Sequence, residues 1–123
     1  MKVLLSLAFF LTLVSSEEID TSFITKFEYG AMLYENPRGV GCVHCHEKAH
    51  KDIVIAKYKE FNKKTKKLEE KKIVAPAINK VSFEAFLEKM RADKTDSKVM
   101  PTYFLTDDEL ESLYYYIKNI NKK

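Results

Sequence analysis

The sequence has little net charge, no long apolar run and no internal repeat. Its 123 residues carry a formal charge of +3 at pH 7, which is too small to argue for a nucleic-acid-binding protein. No apolar stretch reaches the roughly 20 residues that a transmembrane helix needs. No βαβ pattern and no low-complexity tract is recognisable either. Only two cysteines are present, so any covalent chemistry at sulfur must involve one pair of thiols.

The N-terminus is organised like a secretory signal peptide. A short positive region, Met1-Lys2, precedes an apolar stretch from Val3 to Val14, and the small residues Ser15 and Ser16 follow. We predict cleavage after one of these serines, so that residues 1–16 are the signal peptide and residues 17–123 form one mature domain. A membrane anchor that is not cleaved and faces the periplasm is the alternative, although the apolar stretch is short for a span.

Both cysteines lie in one motif, Cys42-Val43-His44-Cys45-His46. The form Cys-x-x-Cys-His is that of a covalent attachment site for one c-type haem. Each thiol can add across a haem vinyl group, and the next residue places an imidazole beneath the iron, so His46 is the predicted proximal ligand. Export agrees with this interpretation, because bacterial c-type haem is attached outside the cytoplasm and no other thiol is present to mispair.

Three other interpretations of the motif compete. A redox dithiol belongs beside a βαβ pattern, which is missing here. A zinc site would need the cysteines together with His44, His46 or His50, yet structural zinc sites usually split four ligands between two separated pairs. A plain structural disulfide between Cys42 and Cys45 is the third.

Apolar spacing predicts helices on both sides of the motif. The first runs from Ser22 to Glu35 and ends at Asn36-Pro37, because the residue before proline avoids helical geometry. Its shared face carries Phe23, Phe27, Gly30, Ala31 and Tyr34. Gly39 and Gly41 are expected to let the backbone turn sharply into the motif.

Two further helices are predicted towards the C-terminus. One begins after Ser82 as N-cap and runs to Met90 or Arg91, and a polar loop from Ala92 to Lys98 follows it. The last begins after Thr106, which forms a capping box with Glu109. Its core face carries Leu110, Leu113, Tyr114 and Ile117.

The segment between the motif and Pro76 is rich in lysine. Residues 51–72 contain nine lysines against four acidic residues, so this stretch carries a charge of +5. The segments before and after the turn-like Asn62 follow the two-residue period of β-strands, which predicts a β-hairpin at about residues 52–74. A lysine-rich helix is the alternative, and the β-branched start of the segment disfavours it.

Four places in the chain, taken in order, resemble the small monohaem class I cytochromes c. They are the Gly30 face of the first helix, Cys42 to His46, Ala75-Pro76-Ala77-Ile78, and Met100-Pro101 followed by Leu105-Thr106 and the Leu113, Tyr116, Ile117 pattern. The resemblance implies a mainly α cytochrome c-like fold of three to four short helices around one covalent haem. It also implies that the first and last helices cross at Gly30 and Tyr116, and that the Pro76 carbonyl accepts a hydrogen bond from the His46 ring. The hairpin makes the stretch between His46 and Pro76 longer than in compact members of the family.

The sixth iron ligand is predicted to be Met100. It lies in a loop before Pro101, which stiffens the turn, whereas Met32 and Met90 fall in predicted helices as core residues. His50 would share the face of His46 on a helix, and His44 points elsewhere. Another methionine, a histidine or an open site remain the alternatives.

Ligation by His46 and Met100 would raise the potential and exclude substrate from the iron. We therefore expect a periplasmic electron carrier between respiratory donors and a terminal oxidase or peroxidase, a monomer without enzymatic activity. The alternatives are a haem-based sensor or ligand-binding module, and a cytochrome subunit of a larger dehydrogenase. Lys63, Lys64, Lys66 and Lys67 would steer the hairpin towards an acidic redox partner, unless they only form a solvated loop.

Overall fold

Four helices and one β-hairpin make up the described part of the chain. The computed structural model describes residues 23–91 and 99–122, and the predicted signal peptide and the loop from Ala92 to Lys98 lie outside these residues. In chain order the elements are α1 (Lys26–Glu35), α2 (Val43–His46), β1 (Ile53–Asn62), β2 (Lys67–Ala75), α3 (Phe83–Arg91) and α4 (Asp107–Asn119). The predicted mainly α fold with a hairpin insertion is confirmed.

Helix α1 begins later than predicted. Thr25 is its N-cap: the Thr25 hydroxyl accepts a hydrogen bond from the Glu28 N–H, and the Glu28 carboxylate accepts one from the Thr25 N–H at 2.8 Å. This capping box sets the start at Lys26, so Phe23 precedes the helix and is fully exposed instead of lying on its apolar face. The predicted end is right, with Asn36 as C-cap.

The α1 and α4 helices cross at Gly30. A Cβ atom on Gly30 would overlap the carbonyl oxygen of Ser112 and lie 2.7 Å from Cβ of Tyr116. The Tyr116 ring packs against Phe27 and Tyr34 with ring centroids 5.0 Å and 5.3 Å away. The expected contact between Gly30 and Tyr116 is therefore present, and only glycine permits it.

The chain bends between α1 and α2 over residues 37–40, and its left-handed residue there is an arginine. Arg38 has φ 60°, and no glycine in the described ranges has a positive φ. Gly41 is needed for its small size, because a Cβ there would overlap the Glu35 carbonyl oxygen and lie 3.3 Å from Cδ2 of His44. The backbone bends at Gly39 as expected, although neither Gly39 nor Gly41 has a positive φ. Gly41 is required because the motif lies close against α1.

The hairpin is a two-stranded antiparallel sheet. Its register runs from Ile53 opposite Ala75 at the base to Asn62 opposite Lys67 at the tip, with a bulge at Ile55. The predicted bounds at 52–74 agree to within one residue. The bulge offsets the alternation of β1 and increases the local twist at the base.

Side chains of the hairpin itself hold its turn. The Asn62 side-chain oxygen accepts the Lys64 N–H at 2.9 Å. The Glu69 carboxylate accepts hydrogen bonds from the Asn62 amide at 2.8 Å and from the Thr65 hydroxyl at 3.0 Å. These contacts bridge the two strands at the tip, so side-chain hydrogen bonds stabilise the conformation of the turn.

The α3 helix packs on α4 through aromatic rings. Ser82 caps it by accepting the Ala85 N–H at 3.2 Å, as predicted. Phe83 and Phe86 lie 5.0 Å and 5.3 Å from the Tyr114 ring. The buried core of the described residues consists of Leu33, Tyr34, Ala49, Phe86, Met90, Leu110, Leu113 and Ile117. None of the helices in residues 23–91 and 99–122 has the length and apolar character to cross a bilayer.

Candidate functional site

A cavity of about 430 Å³ lies between the helices and the base of the hairpin. It is bounded by Cys42, Cys45 and His46 from the motif, by Met100, and by the core face of α4 at Leu113 and Ile117. Its lining is mostly apolar, as expected of a pocket for a large flat cofactor with few polar contacts. The structure therefore brings the motif and Met100, which are more than fifty residues apart in sequence, to one cavity.

The short α2 helix presents the motif. Its last residue, His46, is buried, and the backbone reverses immediately after it through Glu47 and Ala49, with φ values of 44° and 65°. Non-glycine residues rarely adopt such angles, each at a cost of about 1 kcal/mol. The reversal stops the helix at His46, so His50 is not on a helical face with it and is exposed.

The His46 ring has a defined orientation and tautomer. Its Nδ1 lies 2.9 Å from the carbonyl oxygen of Pro76. Because a carbonyl can only accept, Nδ1 carries the proton and donates, which leaves the Nε2 lone pair to bind a metal. The hydrogen bond that the resemblance implied is present in the structure.

Backbone contacts at the base of the hairpin hold Pro76 over His46. The carbonyl oxygen of Ala49 accepts the Ile78 N–H at 2.8 Å and the Asn79 N–H at 3.0 Å. The Asp52 carboxylate accepts the Ala77 N–H at 2.8 Å. The sequence did not indicate this role for Asp52, because a single acidic residue before a predicted strand is not a distinctive pattern.

Two of the methionines considered as ligands line the cavity. Met100 does so from the loop before Pro101, and Met90 does so from α3, where it is buried. Met32 is 58% exposed on α1, so the prediction that it fills the core is wrong. His44 and His50 are exposed and do not line the cavity.

Two contacts tie the Met100 loop to the segment before the motif. The Tyr103 hydroxyl donates to the Val40 carbonyl oxygen at 2.5 Å, and the Arg38 guanidinium donates to the Phe104 carbonyl oxygen at 2.8 Å. Burial raises the pKa of Tyr103 to about 12, so its hydroxyl remains a donor at neutral pH. Neither Arg38 nor Tyr103 was predicted, because their partners are more than sixty residues away in sequence.

The same arginine binds the start of α4. Its two terminal nitrogens donate to the two carboxylate oxygens of Glu109, each at 2.7 Å. Glu109 is 8% exposed and also accepts from the Tyr29 hydroxyl at 3.1 Å. The hydrogen bonds from Arg38 lower the pKa of Glu109 to about 2, aided by the Thr106 backbone N–H.

The two motif cysteines are half-buried thiols on the cavity wall. Burial raises the pKa of Cys42 to about 11, which disfavours a reactive redox thiolate. Within residues 23–91 and 99–122 no three His, Cys, Asp or Glu side chains come together as a metal site, so the zinc interpretation has no support there. Two thiols, an unprotonated imidazole nitrogen and an apolar cavity fit a covalently attached haem.

Helices around such a cavity, with a Cys-x-x-Cys-His motif on its wall, define a mainly α haem-binding domain. The family model for cytochrome c matches residues 27–121, and the chain belongs to the cytochrome c family. No curated protein and no solved structure was found to match it. As a member of this family the chain is a haem-binding electron-transfer protein with covalent haem c, and Cys42 and Cys45 are the cysteines of the motif.

Proposed function

We propose that this protein is a periplasmic one-electron carrier whose haem iron is bound by His46 and Met100. The observation that carries the proposal is the hydrogen bond of 2.9 Å between His46 Nδ1 and the Pro76 carbonyl oxygen, in a cavity that Met100 also lines. Haem c supplies the one-electron couple between ferric and ferrous iron. The chain supplies two axial ligands and excludes water with apolar side chains.

Full axial coordination favours electron transfer over chemistry at the iron. A thioether ligand stabilises ferrous iron and raises the potential, and a filled sixth position leaves no site for a substrate. The protein would therefore have no enzymatic activity of its own. Its donors and acceptors would be respiratory-chain proteins, with the turn lysines Lys63, Lys64, Lys66 and Lys67 steering the encounter.

Replacing Met100 with alanine tests the ligand assignment. The Met100→Ala holoprotein should lose the ferric iron–sulfur charge-transfer absorption, and its ferrous form should bind carbon monoxide rapidly, because the sixth position is then open. The wild-type ferrous protein should resist carbon monoxide. Rapid binding to the wild type would support a ligand-binding module instead.

Met90→Ala is the matched control, since Met90 lines the same cavity from α3. It should keep the charge-transfer absorption and lose stability by about 2–5 kcal/mol, as expected for a buried methionine cut back to alanine. An absorption that survives in Met100→Ala and disappears in Met90→Ala would assign the ligand to Met90.

Export can be tested separately from ligation. We propose that residues 1–16 are removed and that the domain from residue 17 acts in the periplasm. Mass spectrometry of the holoprotein from a periplasmic fraction should give a mature N-terminus at residue 16 or 17. A haem-containing chain that starts at Met1 and is found with membranes would indicate the anchored alternative.

A further inference from the structure

One face of the hairpin is exposed along its whole length. On an antiparallel pair, register partners and every second residue share a face, and the register assigns eight residues to this one. We call it the outer face, and each of its residues is exposed. It consists of Val54, Lys57, Lys59, Phe61, Leu68, Glu70, Lys72 and Val74.

The opposite face differs in both burial and charge. At the base it turns towards the protein body, where Ala75 is buried and Ile53 and Ile73 are partly buried. Further out, Lys67 and Lys71 are balanced by Glu60 and Glu69, so this inner face has no net charge. The outer face carries three lysines against one glutamate.

The outer face combines like charges with an exposed apolar pair, whereas the inner face has one pair of like charges, Glu60 opposite Glu69. Lys57 and Lys72 lie directly opposite one another in the register, an arrangement that destabilises a sheet. None of the ion pairs in the described ranges involves either of them or Lys59. Phe61 and Leu68 also lie opposite one another, with 55% and 65% of their surface exposed.

We propose that the outer face is the docking surface for an acidic redox protein whose carboxylates lie between two apolar patches. The lysines at its centre would pair with carboxylates, and the valine pair and the Phe61–Leu68 pair would pack on apolar atoms at its two ends. This inference rests on the proposed function as an electron carrier. It assigns contact to the outer face, whereas the turn lysines steer the partner from a distance.

The position of the face suits electron transfer at its base. Val74 belongs to the outer face and also lines the cavity. Ile55, the unpaired residue at the bulge, lines the cavity next to the base of this face. The tip lies roughly 20 Å further along the strands. A partner that covers the whole face therefore touches the wall of the cofactor cavity, while contact at the tip alone would leave the electron a long path.

Two other occupants fit the surface less well. In a membrane, Lys63, Lys64 and Lys66 at the turn would have to enter ahead of Phe61 and Leu68, which is costly for charged side chains. A second copy would bring like charges together, and the strip, roughly 300 Å², is far smaller than the ~800 Å² that each partner buries in a stable interface. A transient acidic partner meets both constraints.

Charge reversal on the two faces separates this docking from a general effect of charge. The probe is a gold electrode coated with a mixed monolayer of carboxylate-terminated and methyl-terminated thiols, and the measurement is interfacial electron transfer by holoprotein at low salt. Lys72→Glu on the outer face should lower the rate about threefold. Lys71→Glu has the same change in net charge on the inner face, involves none of the turn lysines, and should lower the rate much less.

Apolar variants and vesicles complete the test. Phe61→Ser/Leu68→Ser should slow the exchange, while Tyr58→Ser, on the inner face, should not. Equal losses in the two lysine variants would overturn the docking face. Sedimentation with phosphatidylglycerol vesicles that depends on Phe61 and Leu68, without an effect of either at the electrode, would assign the surface to membranes and also overturn it.

A failure of the carrier function would give a different result. Each variant is first checked for an unchanged haem spectrum, unchanged thermal unfolding and reversible reduction in solution. Wild-type protein that is not reversibly reduced would contradict both the carrier function and the docking. Wild-type protein that is reversibly reduced, with lysine variants that cannot be distinguished from each other, would contradict the docking alone.

Discussion

Glu109 joins three parts of the chain through one carboxylate. It completes the capping box at the start of α4, it binds both terminal nitrogens of Arg38 at 2.7 Å, and it accepts from Tyr29 of α1. A bidentate arginine–carboxylate pair is stronger and more directional than a single ion pair. The Glu109 side chain is almost buried, whereas the Arg38 side chain is half-exposed. Protonation of Glu109 should therefore weaken the contacts that join these three parts of the chain.

Glu109 should make folding stability depend on pH in the acid range. Its folded pKa is about 2, below the ordinary value of 4.5, so the stabilisation is present above pH 4.5 and is lost as the pH falls towards 2. Glu109→Gln keeps an oxygen for the cap and loses the charge. Denaturation should show that the wild-type holoprotein is more stable than the Glu109→Gln holoprotein at pH 6. This difference in the free energy of unfolding should shrink between pH 4.5 and pH 2.

Glu111→Gln is the control on the same helix. Glu111 pairs with Lys26 at 3.0 Å, and both side chains are about half-exposed, so its loss should change stability by less than about 1 kcal/mol. A stability difference for Glu109→Gln that stays constant down to pH 2 would show that this carboxylate does not carry the acid sensitivity.

At the scale of single residues, contacts between near neighbours in the sequence could be predicted, and contacts between distant residues could not. The capping box of Thr106 and Glu109 could be recognised because its members are three residues apart. The pairing of Glu109 with Arg38 could not, since the two are 71 residues apart and no periodicity relates them. Gly30 could be assigned to the helix crossing only through the family resemblance, because spacing alone does not show which residue faces it.

The loop that carries Met100 is held in place by two hydrogen bonds to another segment of the chain, which we call its tethers. The Tyr103 hydroxyl donates to the Val40 carbonyl oxygen, and the Arg38 guanidinium donates to the Phe104 carbonyl oxygen. Both connect the loop to the segment directly before the motif. These contacts would keep the proposed sixth ligand close to the two thioether positions.

Removing a tether should weaken the retention of Met100 without changing the ligand. Tyr103→Phe removes one neutral hydrogen bond, whose net contribution is about 0.5–1.5 kcal/mol. Imidazole should therefore displace the ferric methionine roughly two- to tenfold more readily, as judged by loss of the charge-transfer absorption. Tyr115→Phe, at an exposed position of α4, should leave the displacement unchanged. If imidazole displaces the methionine equally readily in Tyr103→Phe and Tyr115→Phe, the hydrogen bond of Tyr103 does not help to retain Met100.

Predictions for elements succeeded where one segment carried its own signal. The hairpin followed from alternation around Asn62, and α3 and α4 followed from their caps. The start of α1 was wrong because apolar spacing was followed back past the Thr25–Glu28 capping box. The bulge at Ile55, which brings this residue to the cavity wall, has no sequence signal, because a bulge depends on how two strands pair.

The whole molecule is arranged around the space that the cofactor takes. Four of the eight residues in the buried core of the described chain, Phe86, Met90, Leu113 and Ile117, line the cavity of about 430 Å³. Without the cofactor the apolar lining of this space would lack packing partners. A small domain, whose whole stability is only about 5–15 kcal/mol, has little stability to spare for such a loss. The covalent haem is thus expected to be part of the core.

The haem-free chain should therefore lack cooperative tertiary structure. Cys42→Ala/Cys45→Ala, which cannot attach haem, should retain part of its helical signal but lose its near-ultraviolet circular dichroism, and it should unfold in urea without a sharp transition. Met100→Ala holoprotein is the control: it keeps both thioether bonds, so it should still unfold cooperatively at a lower urea concentration than the wild type. A sharp transition in the double-alanine chain, with the urea dependence of a domain of about 100 residues, would show that the polypeptide forms its core without the cofactor.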